Sequence, residues 1–146
     1  MINRSNTFLG LVLFSGSCMA ACEFNIEVGD TLQFDTKEIV AEKSCESVTI
    51  TINHTGKLPA AAMGHNWVLS KKEDFQQLAI DSSAAGLDNN YVPPDDARVL
   101  ANTRLVGGGE SDSISFETAS LTEDSYTFFC SFPGHWAVMK GTFKLN

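Results

Sequence analysis

Eleven residues near the end of the chain, Phe129-Cys130-Ser131-Phe132-Pro133-Gly134-His135-Trp136-Ala137-Val138-Met139, bring together a thiol, an imidazole and a thioether. Their spacing is Cys-x4-His-x3-Met, and Pro133 and Gly134 supply a bend between the first two donors. Soft and borderline donors of this kind suit copper, which moves between two oxidation states. The apolar run over 126–129 predicts a buried strand, which puts Cys130 at a strand end and the other donors on the loop beyond.

Holding a metal this way takes another strong donor, and the chain has only three histidines, His54, His65 and His135. His65 stands in Met63-Gly64-His65-Asn66-Trp67-Val68-Leu69, where the glycine lets a backbone carbonyl come close to an ion because no side chain intervenes. His65 is therefore the second imidazole. Taken singly, Met139 reads as core filler and His65 as a hydrogen-bonded core histidine; the joint occurrence turns the reading toward a mononuclear copper site. Two histidines, one cysteine and a weak axial thioether lie between the geometries that the two valences prefer, so little moves when an electron arrives.

On these residues the chain resembles the azurin family of single-copper cupredoxins. Met63-Gly64-His65-Asn66-Trp67 and Cys130-x4-His135-x3-Met139 carry the likeness. It extends through Gly86-Leu87-Asp88, Pro94-Asp95-Asp96, Gly109-Glu110-Ser111-Asp112-Ser113 and Met139-Lys140-Gly141-Thr142, covering residues 21–146. The resemblance implies one copper per chain, with the Gly64 carbonyl opposite Met139 and the backbone amides of Asn66 and Phe132 bonded to the Cys130 sulfur. It also implies an apolar docking patch around the His135 ring edge, made by Leu58, Ala62, Met63, Phe132, Pro133, Trp136 and Ala137. Transient partners follow by the same resemblance: c-type cytochromes and periplasmic reductases. Trp136 stands where azurins commonly carry a small residue, and Ser83 where an apolar rim residue is expected. His54 is either a semi-buried titrating group near the site, as the family implies, or an ordinary histidine at a strand end. Trp67 reads as core.

Positioning such donors falls to many short strands. Phe24, Ile26 and Val28 alternate with polar residues, as do Leu32 and Phe34, then Val48, Ile50 and Ile52, Ile114 and Phe116, and Phe143 and Leu145. Gly29-Asp30, Thr55-Gly56, Pro93-Pro94 and Gly107-Gly108-Gly109 punctuate them. An all-β Greek-key sandwich or barrel follows. One short external α-helix breaks the pattern over 70–85, where Ser70-Lys71-Lys72-Glu73 has a capping-box arrangement and Gly86 closes the segment.

Residues 1–20 hold one basic residue, no acidic residue, an apolar core over 8–14 and small residues at the end. That is the plan of a secretory signal peptide cleaved after Ala20, with a core too short to span a bilayer. A rival reading makes Cys18 a lipid-modified N-terminus, but the bulky aliphatic residue three places before it is missing. Residues 21–146 then form one domain with nine Lys and Arg against eighteen Asp and Glu, a formal charge of −9, located in the periplasm. Such a charge disfavours nucleic acid and anionic membranes as partners, and no membrane insertion is expected.

With Cys18 in the leader, three of the four cysteines remain, and Cys130 is the one beside metal donors. Cys22 and Cys45 then pair as a disulfide in an oxidising compartment, the alternative being two buried thiols. Multicopper catalysis needs more histidines than three, and four protein ligands leave no open position for a substrate, so the chain reads as a carrier rather than an enzyme. The remaining alternative is a non-redox copper or zinc carrier; zinc would accept Cys130, His65 and His135 but gain nothing from Met139.

Overall fold

The computed structural model describes residues 22–146; the expected leader and Cys18 lie outside the described residues. Period-two alternation dictates the strands: β1 (Glu23–Val28), β2 (Glu38–Ala41), β3 (Ser47–His54), β4 (Val68–Lys71), β5 (Ala101–Asn102), β6 (Ser111–Glu117), β7 (Ser125–Phe129) and β8 (Lys140–Leu145). In β3 the alternation is complete: Val48, Ile50, Ile52 and His54 are buried while the residues between them are half-buried. The outward Thr49 and Thr51 hydroxyls meet those of Ser115 and Ser113 on β6, each at 2.8 Å.

These strands form two sheets, ordered β1-β3-β6 and β2-β8-β7-β4-β5. β1 runs parallel to β3 and β2 parallel to β8, while the remaining neighbours are antiparallel. Parallel neighbours cannot be joined by a hairpin, so the chain crosses between sheets, and the expected Greek-key β-sandwich results. Trp67, fully buried, sits as core between Phe116 of one sheet and Phe128 of the other, with ring centroids 6.0 and 5.8 Å away. Cys22 and Cys45 are joined as a disulfide across 23 residues of sequence. The bridge ties the entry of β1 to the segment before β3; closing a loop of that size is worth about 3 kcal/mol in the chain-entropy picture.

Two expectations give way to tertiary pairing. The main helix, α2, spans Phe75–Ala85 and has Asp74 at its N-cap without a side-chain capping bond. Ser70 does not cap it. Instead Ser70 is buried in β4, paired with Thr127 of β7, so the sheet interior takes the residue that the local pattern assigns to the helix cap. Likewise Leu32 and Phe34 make no strand, only a bridge between Val28 and Phe34. A tight turn in which Gln33 N–H donates to Thr31 O leaves Leu32 exposed. The apolar loop before the Gly-His pair also winds into one helical turn, α1 (Ala60–Met63), after Pro59. Proline fits there because its ring presets the backbone and the lost N–H has no partner in a helix start.

Candidate metal centre

β7 ends at Phe129, so Cys130 leaves the middle of the larger sheet with its sulfur fully buried. His65 lies between α1 and β4, held by a reciprocal backbone pair with Val106: His65 N–H to Val106 O at 3.0 Å and Val106 N–H to His65 O at 2.8 Å. The loop between β7 and β8 carries His135 and Met139. It is closed on itself by Cys130 N–H to Met139 O at 3.0 Å, His135 N–H to Phe132 O at 3.0 Å and Met139 N–H to His135 O at 2.9 Å. Gly134, with φ of 84°, makes the bend that a β-carbon would strain. Gly64 is required for a different reason: a β-carbon there would run into the Ala60 carbonyl and the Leu105 side chain.

The result is a compact set of donors. His65 Nδ1 lies 3.8 Å and His135 Nδ1 3.6 Å from Cys130 Sγ, and these three atoms all fall within 4.8 Å of one another. The Gly64 carbonyl oxygen is 4.0 Å from the same sulfur. Met139 is fully buried, and its backbone is bonded to both Cys130 and His135. Sulfur with two imidazole nitrogens, interior and unpaired with any carboxylate, is a donor set that fits copper and leaves a hard cation poorly served.

The His65 and His54 rings are oriented by bonds to the backbone. His65 Nε2 lies 2.8 Å from the Gly29 carbonyl, which can only accept, so Nε2 carries the proton and Nδ1 faces the sulfur with its lone pair. Asp30 holds that turn in place by accepting the Lys57 and Leu58 N–H groups at 2.9 and 3.1 Å. His54 is buried and stacked on His65 at 5.0 Å. Gly56 N–H donates to its Nδ1 at 3.1 Å, leaving Nε2–H to donate to the Met63 carbonyl at 2.9 Å. It thus braces the backbone just before Gly64.

Burial sets the protonation states of the metal-free site. It pushes the Cys130 thiol up to about 12 against the opposing backbone N–H bonds of Asn66 and Phe132, so metal capture must release a proton and affinity rises with pH. Burial likewise lowers His65 to about 4, the Gly29 bond only partly opposing it, and lowers His135. An unfolded histidine takes its proton near pH 6.5, whereas the folded ring resists until about pH 4. The unfolded state therefore binds more protons in that window, and the metal-free protein loses stability as pH falls through it, by about 2 kcal/mol. Urea unfolding of the metal-free protein at pH 7 and pH 4.5 should show this loss, and His65→Gln should reduce it.

Several supporting side-chain contacts lie outside what the donor motifs mark. Asn66 is fully buried and donates through Nδ2 to the Asn90 carbonyl at 2.9 Å and the Ser131 hydroxyl at 2.8 Å, while Oδ1 accepts Ser131 N–H at 2.8 Å. It stitches the His65 segment to the Cys130 loop. Asn90, at φ 54°, also accepts Leu105 N–H on its Oδ1 at 2.9 Å; the Asn89-Asn90 pair is a left-handed turn signal that could have marked it. Gly29, Ser131 and Val106 could not have been assigned without the fold.

The chain matches the family model for copper binding proteins of the plastocyanin/azurin family over residues 20–146. It belongs to that family. Azurin of Alcaligenes faecalis is 55% identical over 127 residues, spanning 86% of this chain and 99% of that relative. Azurin of Pseudomonas aeruginosa is 48% identical over 138 residues, 93% of each. The solved azurin Az-iso2 of the methylotroph Methylomonas sp. strain J superposes with a TM-score of 0.83 at 44% identity, covering 87% of this chain and 99% of that one. Family membership and the donor set together make the chain a copper electron-transfer protein.

Proposed function

We propose that residues 21–146 form a single exported domain, freed of residues 1–20, that holds one copper ion and passes single electrons between redox proteins of the periplasm. Cys130 would give the thiolate, His65 and His135 the two nitrogens, Met139 a thioether, and the Gly64 carbonyl, 4.0 Å from the Cys130 sulfur, an oxygen. Bound copper supplies one-electron exchange between its two oxidation states. The chain's own residues fix the donors, keep water out and hold the sulfur by the N–H groups of Asn66 and Phe132. The observation that carries this reading is the convergence of three buried soft and borderline donor atoms within 4.8 Å.

Exchange with a partner needs a path out. His135 is 5% exposed and packs at 4.4 Å on Phe132; of the residues assigned to the patch, Leu58, Ala62, Pro133 and Ala137 are exposed and Met63, Phe132 and Trp136 half-buried. These residues form the docking patch for c-type cytochromes and periplasmic reductases, small enough for a contact that must dissociate quickly. Among the described residues no helix is long and apolar enough to cross a membrane.

Titration of the metal-free protein with copper(II) in the presence of zinc(II) separates this reading from a non-redox metal carrier. One equivalent of copper should develop an intense blue thiolate-to-metal absorption that reductant bleaches and oxidant restores. A protein that stays colourless and retains zinc would overturn it.

A further inference from the structure

Four basic residues of the described chain are committed to acidic partners: Arg98 to Asp81 and Asp96, Arg104 to Glu110 and Asp112, Lys71 to Glu123, and Lys144 to Glu38. Lys72 and Lys140 make no ion pair among the described residues. Both line one cleft of about 330 Å³ between the start of α2 and the β7–β8 pair, together with Phe75, Thr127, Gly141 and Thr142. Thr127 and Thr142 are cross-strand partners that form its floor. Gly141 also lines it, and no side chain fits there, since a β-carbon would strike the buried Phe128 ring and the Lys37 carbonyl. The Lys140 ammonium lies 5.1 Å over the Phe75 ring, a placement that holds the charge at the wall of the cleft. Exposed Lys37 reaches the same place through its carbonyl, which accepts Thr142 N–H at 2.9 Å.

The cleft is continuous with the docking patch. Phe75 packs edge-on against Trp136 at 6.0 Å and against Phe129 at 5.1 Å; these residues adjoin His135 and Cys130 in sequence. Trp136 therefore bridges the apolar face and the lysine cleft.

We infer that this cleft is a second attachment point of the docking face, receiving a carboxylate side chain of a redox-partner protein whose contact surface joins an apolar centre to an acidic edge. The inference rests on the electron-carrier reading. Residues 21–146, with a formal charge of −9, repel an acidic partner at long range, but at physiological salt that repulsion is screened beyond about 8 Å. At contact the local field decides, and two ammonium groups without counter-charges, on a mostly apolar wall, attract a carboxylate strongly. Such a contact fixes orientation and raises the rate of productive encounter more than it raises affinity, which suits a partner that must leave.

Two measurements test it. In stopped-flow oxidation of a c-type cytochrome with carboxylates around its haem edge by the copper-loaded protein, Lys72→Gln with Lys140→Gln should lower the second-order rate constant roughly threefold to tenfold. The control pair Lys43→Gln with Lys144→Gln changes net charge equally and should lower it less than about twofold. Equal effects of the two pairs, or none, overturn the docking role. The second measurement needs no copper: the paramagnetic trianion hexacyanochromate(III), added to the metal-free protein, should broaden the amide resonances of Lys72, Gly141 and Thr142, and the first variant pair should abolish this. Broadening centred elsewhere overturns the cleft as an anion seat even if the copper reading fails. Broadening at the cleft without a rate difference between the two variant pairs shows capture of small anions and overturns the partner.

Discussion

Replacing Cys130 by serine is expected to abolish blue colour and reversible electron exchange while leaving the fold intact. A hydroxyl is a hard, weakly acidic donor, so the strong covalent bond that makes copper prefer this site to water is lost. Removing a partner that merely orients a ligand typically costs 10–100-fold in metal affinity, and loss of the thiolate itself should exceed that range. Stability separates the two effects. In the metal-free protein residue 130 carries a proton, and serine is nearly the same shape with the same ability to accept the Asn66 and Phe132 amides. Unfolding free energies of the metal-free parent and Cys130→Ser, from urea titration, should therefore agree within about 1 kcal/mol. A copper-loaded Cys130→Ser protein that remains blue would contradict the assignment.

Asn66→Leu should do the reverse, striking the scaffold first. The side chain makes three interior hydrogen bonds, and an isosteric apolar group leaves Ser131 N–H, the Ser131 hydroxyl and the Asn90 carbonyl without this partner. Each buried polar group so abandoned costs about 1–3 kcal/mol, so a total loss of roughly 3–5 kcal/mol is expected. Ser131→Ala removes one partner atom and should cost about 1 kcal/mol. Because Asn66 also sets the distance between the loops bearing His65 and Cys130, copper affinity should fall by about 10–100-fold. An Asn66→Leu protein unfolding at the parent's urea concentration would show that the network contributes nothing.

The contrast between these residues explains what could be read in advance. The grouping of His65, Cys130 and His135 could be expected because their chemistry is rare and two of them are local in sequence. Strands such as β3 were legible because alternation has one physical cause, a sheet with one wet face. The Asn66–Ser131–Asn90 network was not: its members are polar residues common in loops, and only the fold brings them together across separations of 65 and 24 residues. The start of α2 was misread because Ser70 and Glu73 satisfy a local capping rule, whereas Ser70 gains more from pairing with β7 inside the sheet. The lysine cleft was invisible for the same reason as the network, since Lys72 and Lys140 meet only where α2 packs on β7 and β8.

The proposed electron exchange calls for donors that do not rearrange. The ligand loop is closed by its own backbone bonds, His65 is fixed by Gly29 and Val106, and His54 braces the turn before Gly64. Such a site should impose one geometry on both valences, which lowers the reorganisation that accompanies each electron.

X-ray absorption at the copper edge of the loaded protein, recorded in both oxidation states, tests that idea most directly. One sulfur and two imidazole nitrogens should surround the ion in each state, with bond lengths nearly unchanged on reduction. A shell made only of nitrogen and oxygen, or one that loses a donor when the electron arrives, would contradict it.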